Sequence, residues 1–546
     1  MVTSAAATDA ANDEIVEPAR RRHLVLILLA TIVAVLSVLR WGVYVALGRT
    51  MNLFESGTAI VGGQRMLSGE MPFTEYFAFY GPLSYLLPTA LAGVTGAITT
   101  ADFGYDVIVG TATVVVAYLL TAKLTGRPGW ALLAPASILL LGSNTSHTLP
   151  ALLSALLLSY AETSGRRGLL VGAGIFGGLG LLWVQDAGAW ICMAVFATLV
   201  IGLLSRRIRS VLTVRGFLLY SVGVVLGLSP WIAYAALRGA VSAWIYWSFV
   251  FPLTGYTARN STGYFVGLLQ SALQEGGIRG LYIFVFWVFP FIAVFMLAAL
   301  NLLCALKWAC WPSAGRGRSP DAPVTLLILS IYAALQLRVL VASVDEAKLV
   351  DVSAPTAVAS VVVLLTLWPR AGAVPLRGLT KVVAAIVAVW LLLWPAWFQV
   401  RYLALKIGTP PPVVAQGIGG LPIVGAGPAS VSPDQLGQLV GQVRALSGPD
   451  DQILVLPTSP LIYALAGRNN PIRWEYLDPV YTTPEVDASI AATVRQGSIR
   501  LVVLGDNFFP GSDLRGADLA PQTYAAIDEN YVPQLTIGGF TLHVRR

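Results

Sequence analysis

Apolar runs of about 20 residues, the length that crosses a bilayer as a helix, recur along the first 400 positions, separated by short polar or basic stretches. They fall near residues 24–48, 80–97, 106–122, 130–142, 148–163, 168–184, 188–204, 215–237, 280–306, 324–341, 353–368 and 382–400. The pattern predicts a mainly α, polytopic transmembrane helical bundle of 11–13 spans. After residue 400 it changes. "KIGTPPPVVAQGIGGLPIVGAGPAS" is a Gly/Pro-rich connector. Beyond it, "DQILVLP" (451–457) and "IRLVVLG" (499–505) are short apolar runs bounded by turn residues, as buried strands should be. Helical patterns occupy 433–447 and 484–496, and "PQLTIGGFTLHVRR" predicts a closing hairpin that turns at Gly538 and Gly539. The expected organisation is therefore a disordered cytosolic tail (1–23), a transmembrane domain (24–403) with an outer loop at 49–79, and a C-terminal soluble α/β domain (404–546).

Composition agrees with a membrane protein: 56% of the 546 residues are hydrophobic, 12% are charged, and the mean hydropathy is +0.72. Cys192, Cys304 and Cys310 lie in or beside apolar segments without paired spacing, which suggests neither a disulfide framework nor a zinc site. The three histidines, His23, His147 and His543, are too scattered to build a metal centre.

The net charge of +7 is unevenly spread: residues 401–546 hold 10 Lys+Arg and 12 Asp+Glu, so the excess lies in the first 400. There it clusters in short loops, among them "RRRH" (20–23) and "RRIR" (206–209). Such clusters mark cytosolic loops, so a nucleic-acid partner is not implied. They place the N-terminus in the cytosol and the C-terminal domain outside the cell membrane. Residues 50–122 do not alternate cleanly, which predicts either a half-inserted or interfacial stretch there, or two exceptions to the charge rule at Lys123 and Arg127.

Against this background "MNLFESGTAIVGGQRMLSGEMPFTEYFAFYGPLSYL" (51–86) stands out, with Glu55, Arg65, Glu70 and Glu75 directly after the first apolar run. If 53–68 is a helix on the membrane surface, steps of about 100° put Glu55, Thr58, Gly62 and Arg65 in one sector and Leu53, Ile60 and Leu67 opposite. A carboxylate beside the hydrocarbon boundary is costly and tends to face a polar cavity. The plainer alternative is a surface ion pair of Glu55 with Arg65.

Further on, "LQLRVLVASVDEAKLVD" (335–351) sets Arg338 within an apolar span and Lys348 beyond it. Arg338 could face a polar cavity, or it could snorkel or pair with Asp345. Gln185 and Asp186 lie at a predicted junction of two helices, where they either line the same cavity or form a polar turn. In the loop 238–279, Tyr256 and Arg259 accompany Trp244, Tyr246 and Trp247. These aromatics suit interfacial anchors, or the wall of a sugar or lipid groove with Arg259 on phosphate.

An acid soon after the first span, then Leu67 and Gly69, Pro72 with Phe73 and Glu75, and Gly81-Pro82-Leu83 opening the next helix, resembles the GT-C superfamily of integral-membrane glycosyltransferases. The similarity is to the bacterial relatives of protein O-mannosyltransferases and aminoarabinose transferases. The chain departs from the usual acidic triplet in having Glu at position 55 and Ser at 56. The resemblance implies inverting transfer of a sugar from a polyprenyl-phosphate donor to an acceptor hydroxyl on a glycan, lipid or protein outside the membrane, and leaves participation of a divalent cation open. It implies a carboxylate that takes the acceptor's proton, for which Glu55 is the first candidate and Glu75 the next. Arg65, Tyr80, Gln185, Asp186, Tyr256, Arg259, Arg338 and Lys348 are the candidate substrate contacts. A lipid-linked-sugar flippase or transporter is the rival class. Such proteins often carry internal repeats, and the two halves of this chain show none.

Overall fold

The computed structural model describes residues 5–46, 53–96, 98–141, 146–205, 212–256, 263–310, 322–342, 346–367, 393–397, 399–400, 433–506 and 514–546. Its first part is a bundle of α1 (Ala5–Ala46), α2 (Glu55–Leu67), α3 (Pro82–Thr95), α4 (Ile98–Thr125), α5 (Leu133–Leu141), α6 (Leu149–Ser164), α7 (Gly168–Trp183), α8 (Gln185–Ser205) and α9 (Val214–Leu237). It continues with α10 (Val241–Ile245), α11 (Gly263–Glu275), α12 (Gly277–Ile283), α13 (Phe289–Cys310), α14 (Ala322–Ala342) and α15 (Glu346–Leu367). By length and composition, five stretches among the described residues can cross a membrane: Arg21–Val43, Phe103–Thr125, Gln185–Ser205, Val214–Leu237 and Phe289–Lys307. Shorter apolar helices such as Gly168–Trp183 and Val352–Leu365 pack among them. The protein is a multi-pass membrane protein.

Two large apolar cores, beside a smaller one around Phe73, Tyr85 and Trp231, hold the bundle. One joins α1, α4, α5 and α6 to α13, α14 and α15 through residues such as Val33, Tyr118, Leu152, Val294 and Val358. The other joins α6, α7, α8, α9 and α14 around Ala173, Ile191, Tyr220 and Tyr332.

The helical bundle and the terminal α/β domain are as the sequence predicts, and two features differ. Helix α1 begins at Ala5, inside the stretch expected as a disordered tail. The run "AAATDAA" is rich in alanine, the strongest helix former, and extends the helix backward. The region after the first span, ambiguous in sequence, contains a short helix. Helix α3 has 14 residues and an internal Pro88, so at 1.5 Å per residue it reaches about 21 Å and cannot cross the ~30 Å hydrocarbon layer alone. The connector at 404–432 and most of the expected run 382–400 lie outside the described residues.

The C-terminal domain is the predicted α/β unit. Strands β1 (Gln452–Leu456), β2 (Ile499–Gly505), β3 (Tyr531–Ile537) and β4 (Phe540–Arg545) form one sheet in the order β1-β2-β4-β3. β1 and β2 are parallel, with Ile453 opposite Leu501; β2 and β3 run antiparallel to β4. The hairpin turns at Gly538 (φ 54°) and Gly539 (φ 78°), both left-handed, as a primed two-residue turn requires. Helices α16 (Pro433–Leu446) and α17 (Leu461–Ala466) cover one face of the sheet, and α18 (Pro484–Gln496) lies in the core of the other.

Each face of this sheet takes in residues from the membrane part. Leu53, Ile60 and Val61 join the core of Leu436, Val440, Val455 and Leu501. Phe77 and Phe251 join that of Leu454, Trp474, Tyr481 and Val502. The domain is thus welded to the loop after α1.

Candidate functional site

Helix α2 is held on two sides. Its Ile60 and Val61, with Leu53 just before it, are buried in the α/β core. Gly62 and Gly63 lie against Tyr85 and Thr89 of α3 so closely that added Cβ atoms would overlap them. The expected surface orientation is therefore corrected: Thr58 and Gly62 are buried and Leu67 is 65% exposed. The apolar stripe faces the docked domain, where it is removed from water together with the apolar face of the sheet. Leu461 donates its N–H to Leu53 O at 3.1 Å, and Gly57 lets the Leu461 backbone come into contact.

Glu55 opens α2 as an exposed residue of its first turn. Glu70 and Glu75 each meet an arginine. Arg65 donates from Nε and Nη2 to Glu70 Oε2 at 2.8 and 2.7 Å, from Nη1 to Ile472 O at 3.0 Å, and stands 4.9 Å over the Tyr76 ring. Its ion pair is thus with Glu70. Glu75 Oε2 accepts the Met71 N–H and faces Arg238 Nη2 at 3.4 Å, while that guanidinium also donates to Gly69 O at 2.7 Å. Between them Phe73, fully buried, adopts φ 70°. This is a strained value for a bulky residue, sustained only where surroundings over-determine it. Its carbonyl accepts Arg473 Nη2 at 2.6 Å. Because the Glu75–Arg238 pair is half-exposed and such pairs contribute little, Glu75→Gln is expected to change turnover by less than about fivefold, measured as initial rate on the intact protein.

The end of the loop meets the bundle. Phe79 and Tyr80 donate their N–H groups to Tyr85 Oη at 2.8 and 3.0 Å. Gln185, 8% exposed, donates to Phe79 O at 2.6 Å, leaving its Oε1 without a hydrogen-bond partner. Asp186 accepts the Ala187 N–H at 2.7 Å within the first turn of α8. The Tyr80 ring lies 5.8 Å from the His147 ring. Farther along α8, Trp190 carries the Arg338 guanidinium at 5.8 Å from its ring centroid, and its buried Nε1 has no hydrogen-bond partner. Tyr80, Gln185 and Asp186 are brought together at the loop's exit, and Arg338 follows about one and a half helical turns beyond Gln185 on the facing helix. Tyr256 ends a short π-helical turn, Pro252–Tyr256. Lys348 lies on α15, and Arg259 lies outside the described residues.

Sequence reasoning missed the segment 472–481, which lies across the loop. Phe77 donates its N–H to Arg473 O at 2.9 Å. The Arg473 guanidinium stands over Trp247 and Trp474, at 5.7 and 5.5 Å, and burial pushes it below the ordinary arginine range. Asp478 is pushed up to about 6 by burial, against the Val480 N–H it accepts. Glu475 is 1% exposed, and neither carboxyl oxygen has a hydrogen-bond partner. A lone acid among aromatics in a domain read as soluble gave no signal. Among the described residues no cluster of three or more His, Cys, Asp or Glu forms a metal site.

No family model and no curated protein matches the chain. Among solved structures it is similar to ArnT from Cupriavidus metallidurans in the apo state, with 14% identity over 95% of this chain and 97% of that one and a TM-score of 0.54. The same ArnT bound to undecaprenyl phosphate gives 15% identity, the same coverage and a TM-score of 0.49. An apo oligosaccharyltransferase from Archaeoglobus fulgidus gives 15% identity over 88% of this chain and 69% of that one, with a TM-score of 0.49. The chain thus shares its fold with ArnT.

Proposed function

We propose that the protein transfers a sugar from a polyprenyl-phosphate donor to an acceptor hydroxyl, on the side of the membrane that carries the α/β domain, with inversion at the anomeric carbon. The observation that carries this reading is the placement of Glu55, exposed at the start of a helix clamped between α3 and the docked domain. The acceptor oxygen attacks the anomeric carbon and its proton passes to Glu55. The bond from that carbon to the phosphate oxygen breaks, and its electron pair leaves with the polyprenyl phosphate. A phosphate is a good leaving group, so a second carboxylic acid of the glycosidase kind is not needed; positive charge on the departing oxygens is.

Arg338 beside Trp190, with Gln185 nearer the loop, supplies polar groups along the exit. Arg338→Gln is expected to lower kcat/KM for the donor by about 10- to 100-fold. The check is the donor concentration dependence of transfer.

The reading is tested with purified protein and radiolabelled polyprenyl-phosphate sugar. A transferase converts it to free lipid phosphate and glycosylated acceptor. Movement of the label across a vesicle membrane with the sugar–phosphate bond intact would instead establish a flippase.

A further inference from the structure

The segment that covers the loop is pinned on both sides of Glu475. Before it, Ile472 O accepts Arg65, Arg473 O accepts the Phe77 N–H, and Arg473 donates to Phe73 O. After it, Leu477 donates its N–H to Pro457 O at 2.8 Å. The side chain between these anchors cannot reach water while the domain is docked. The groups whose charge acts on it come from every element around it: Arg65 of α2 and Glu70 just beyond it, Tyr76 of the loop, Tyr85 of α3, Tyr463 of α17, and Tyr481. The one cation among these, Arg65, is already paired with Glu70. A carboxylate placed here would be an anion without hydrogen bonds in an apolar contact, whereas a neutral carboxyl fits at far lower cost.

We propose that Glu475 is a positioning residue that works as an uncharged acid, keeping the α/β domain docked on the loop that bears Glu55, Glu70 and Glu75 and releasing that grip when it ionises. Its consequence for transfer rests on the function proposed above; its consequence for docking does not.

Burial pushes the Glu475 carboxyl up to about 8, against the pull of the Arg65 guanidinium and with a further rise from Glu70. In the undocked state the side chain meets water and returns to the ordinary glutamate range. The docked form therefore binds the extra proton between that range and about 8. Docking weakens about tenfold per pH unit as pH rises through this window and levels off above it. Tyr76, Tyr463 and Tyr481 are raised by burial and stay neutral throughout. Asp478, at about 6, has largely finished titrating before pH 7.

The experiment follows hydrogen exchange in the full chain in lipid nanodiscs at the Phe77 and Leu461 amides, whose hydrogen bonds to Arg473 O and Leu53 O cross the interface. Between pH 6.5 and 8.0 their protection factors are expected to fall about 15-fold, less than tenfold per unit throughout because the upper limit sits at the levelling point. In Glu475→Gln, neutral at every pH, they stay constant within about threefold. A flat wild type, or a Gln variant that keeps the wild-type slope, overturns the proposal. If Glu475→Gln does not fold, Glu70→Gln decides. Removing that neighbouring anion moves the levelling point to lower pH, and an unmoved levelling point overturns the proposal. The predicted slope in a protein that transfers no sugar at any pH supports the role of Glu475 and sinks the transferase reading alone.

Discussion

Glu55→Gln is expected to lower sugar transfer by about 10²- to 10⁴-fold with little change in thermal stability. The substitution keeps the size and hydrogen-bonding outline of the side chain but cannot take up the acceptor's proton. Glu55 is exposed and contributes nothing to either core that clamps α2, so the loss should appear in turnover and not in folding. The measurement pairs transfer rate with the unfolding midpoint and with exchange protection at Leu461. Glu70 pairs with Arg65, and Glu75 meets Met71 and Arg238. Full activity in Glu55→Gln would remove the proposed base, and the assignment would pass to Glu75 or Glu70.

The second large effect is predicted at Gly57, which touches no substrate in this reading. A Cβ at this position would overlap the Leu461 backbone nitrogen and press on its Cα and Cβ, atoms of a helix that cannot swing aside as a flexible side chain would. Gly57→Val is therefore expected to weaken docking by about 2–3 kcal/mol, a loss of about 30- to 150-fold in Leu461 amide protection. Transfer should fall with it, because α2 loses the support that sets the direction of Glu55. Gly441→Ala is the control. Its Cβ would meet nothing within 4 Å in the exposed face of Pro433–Leu446, and the helix should gain about 0.5–1 kcal/mol. If Gly57→Val leaves protection unchanged, α2 and the domain are not clamped through this contact.

Several features of the fold were legible because their causes are local. The hairpin at Gly538 and Gly539 is written in two residues that can adopt positive φ. Strands Gln452–Leu456 and Ile499–Gly505 follow from short apolar runs between turn residues, and helices Pro433–Leu446 and Pro484–Gln496 from their periodicity. The placing of Glu55 at a helix start after the first span was legible for the same reason.

The pairings within the site were not. Arg65 meets Ile472 across 407 positions and Arg473 meets Phe73 across 400. No periodicity registers such contacts. The polar sector assigned to α2 failed because 100° steps define a face without saying what covers it. Leu53 and Ile60 found the α/β core, and Gly62 found Tyr85. Glu475 shows the limit most sharply. In the sequence it is one acid among "IRWEYLD"; only the docked segment strips it of water.

The sequence alone determined that this is a multi-pass helical membrane protein with a terminal α/β domain and an acid-bearing loop behind its first span, because chain length against bilayer thickness and residue period against backbone geometry are properties of neighbouring residues. Only the tertiary structure decided which acids are engaged, what α2 leans on and where a carboxyl is buried. Those outcomes depend on surfaces hundreds of positions apart meeting and excluding solvent together.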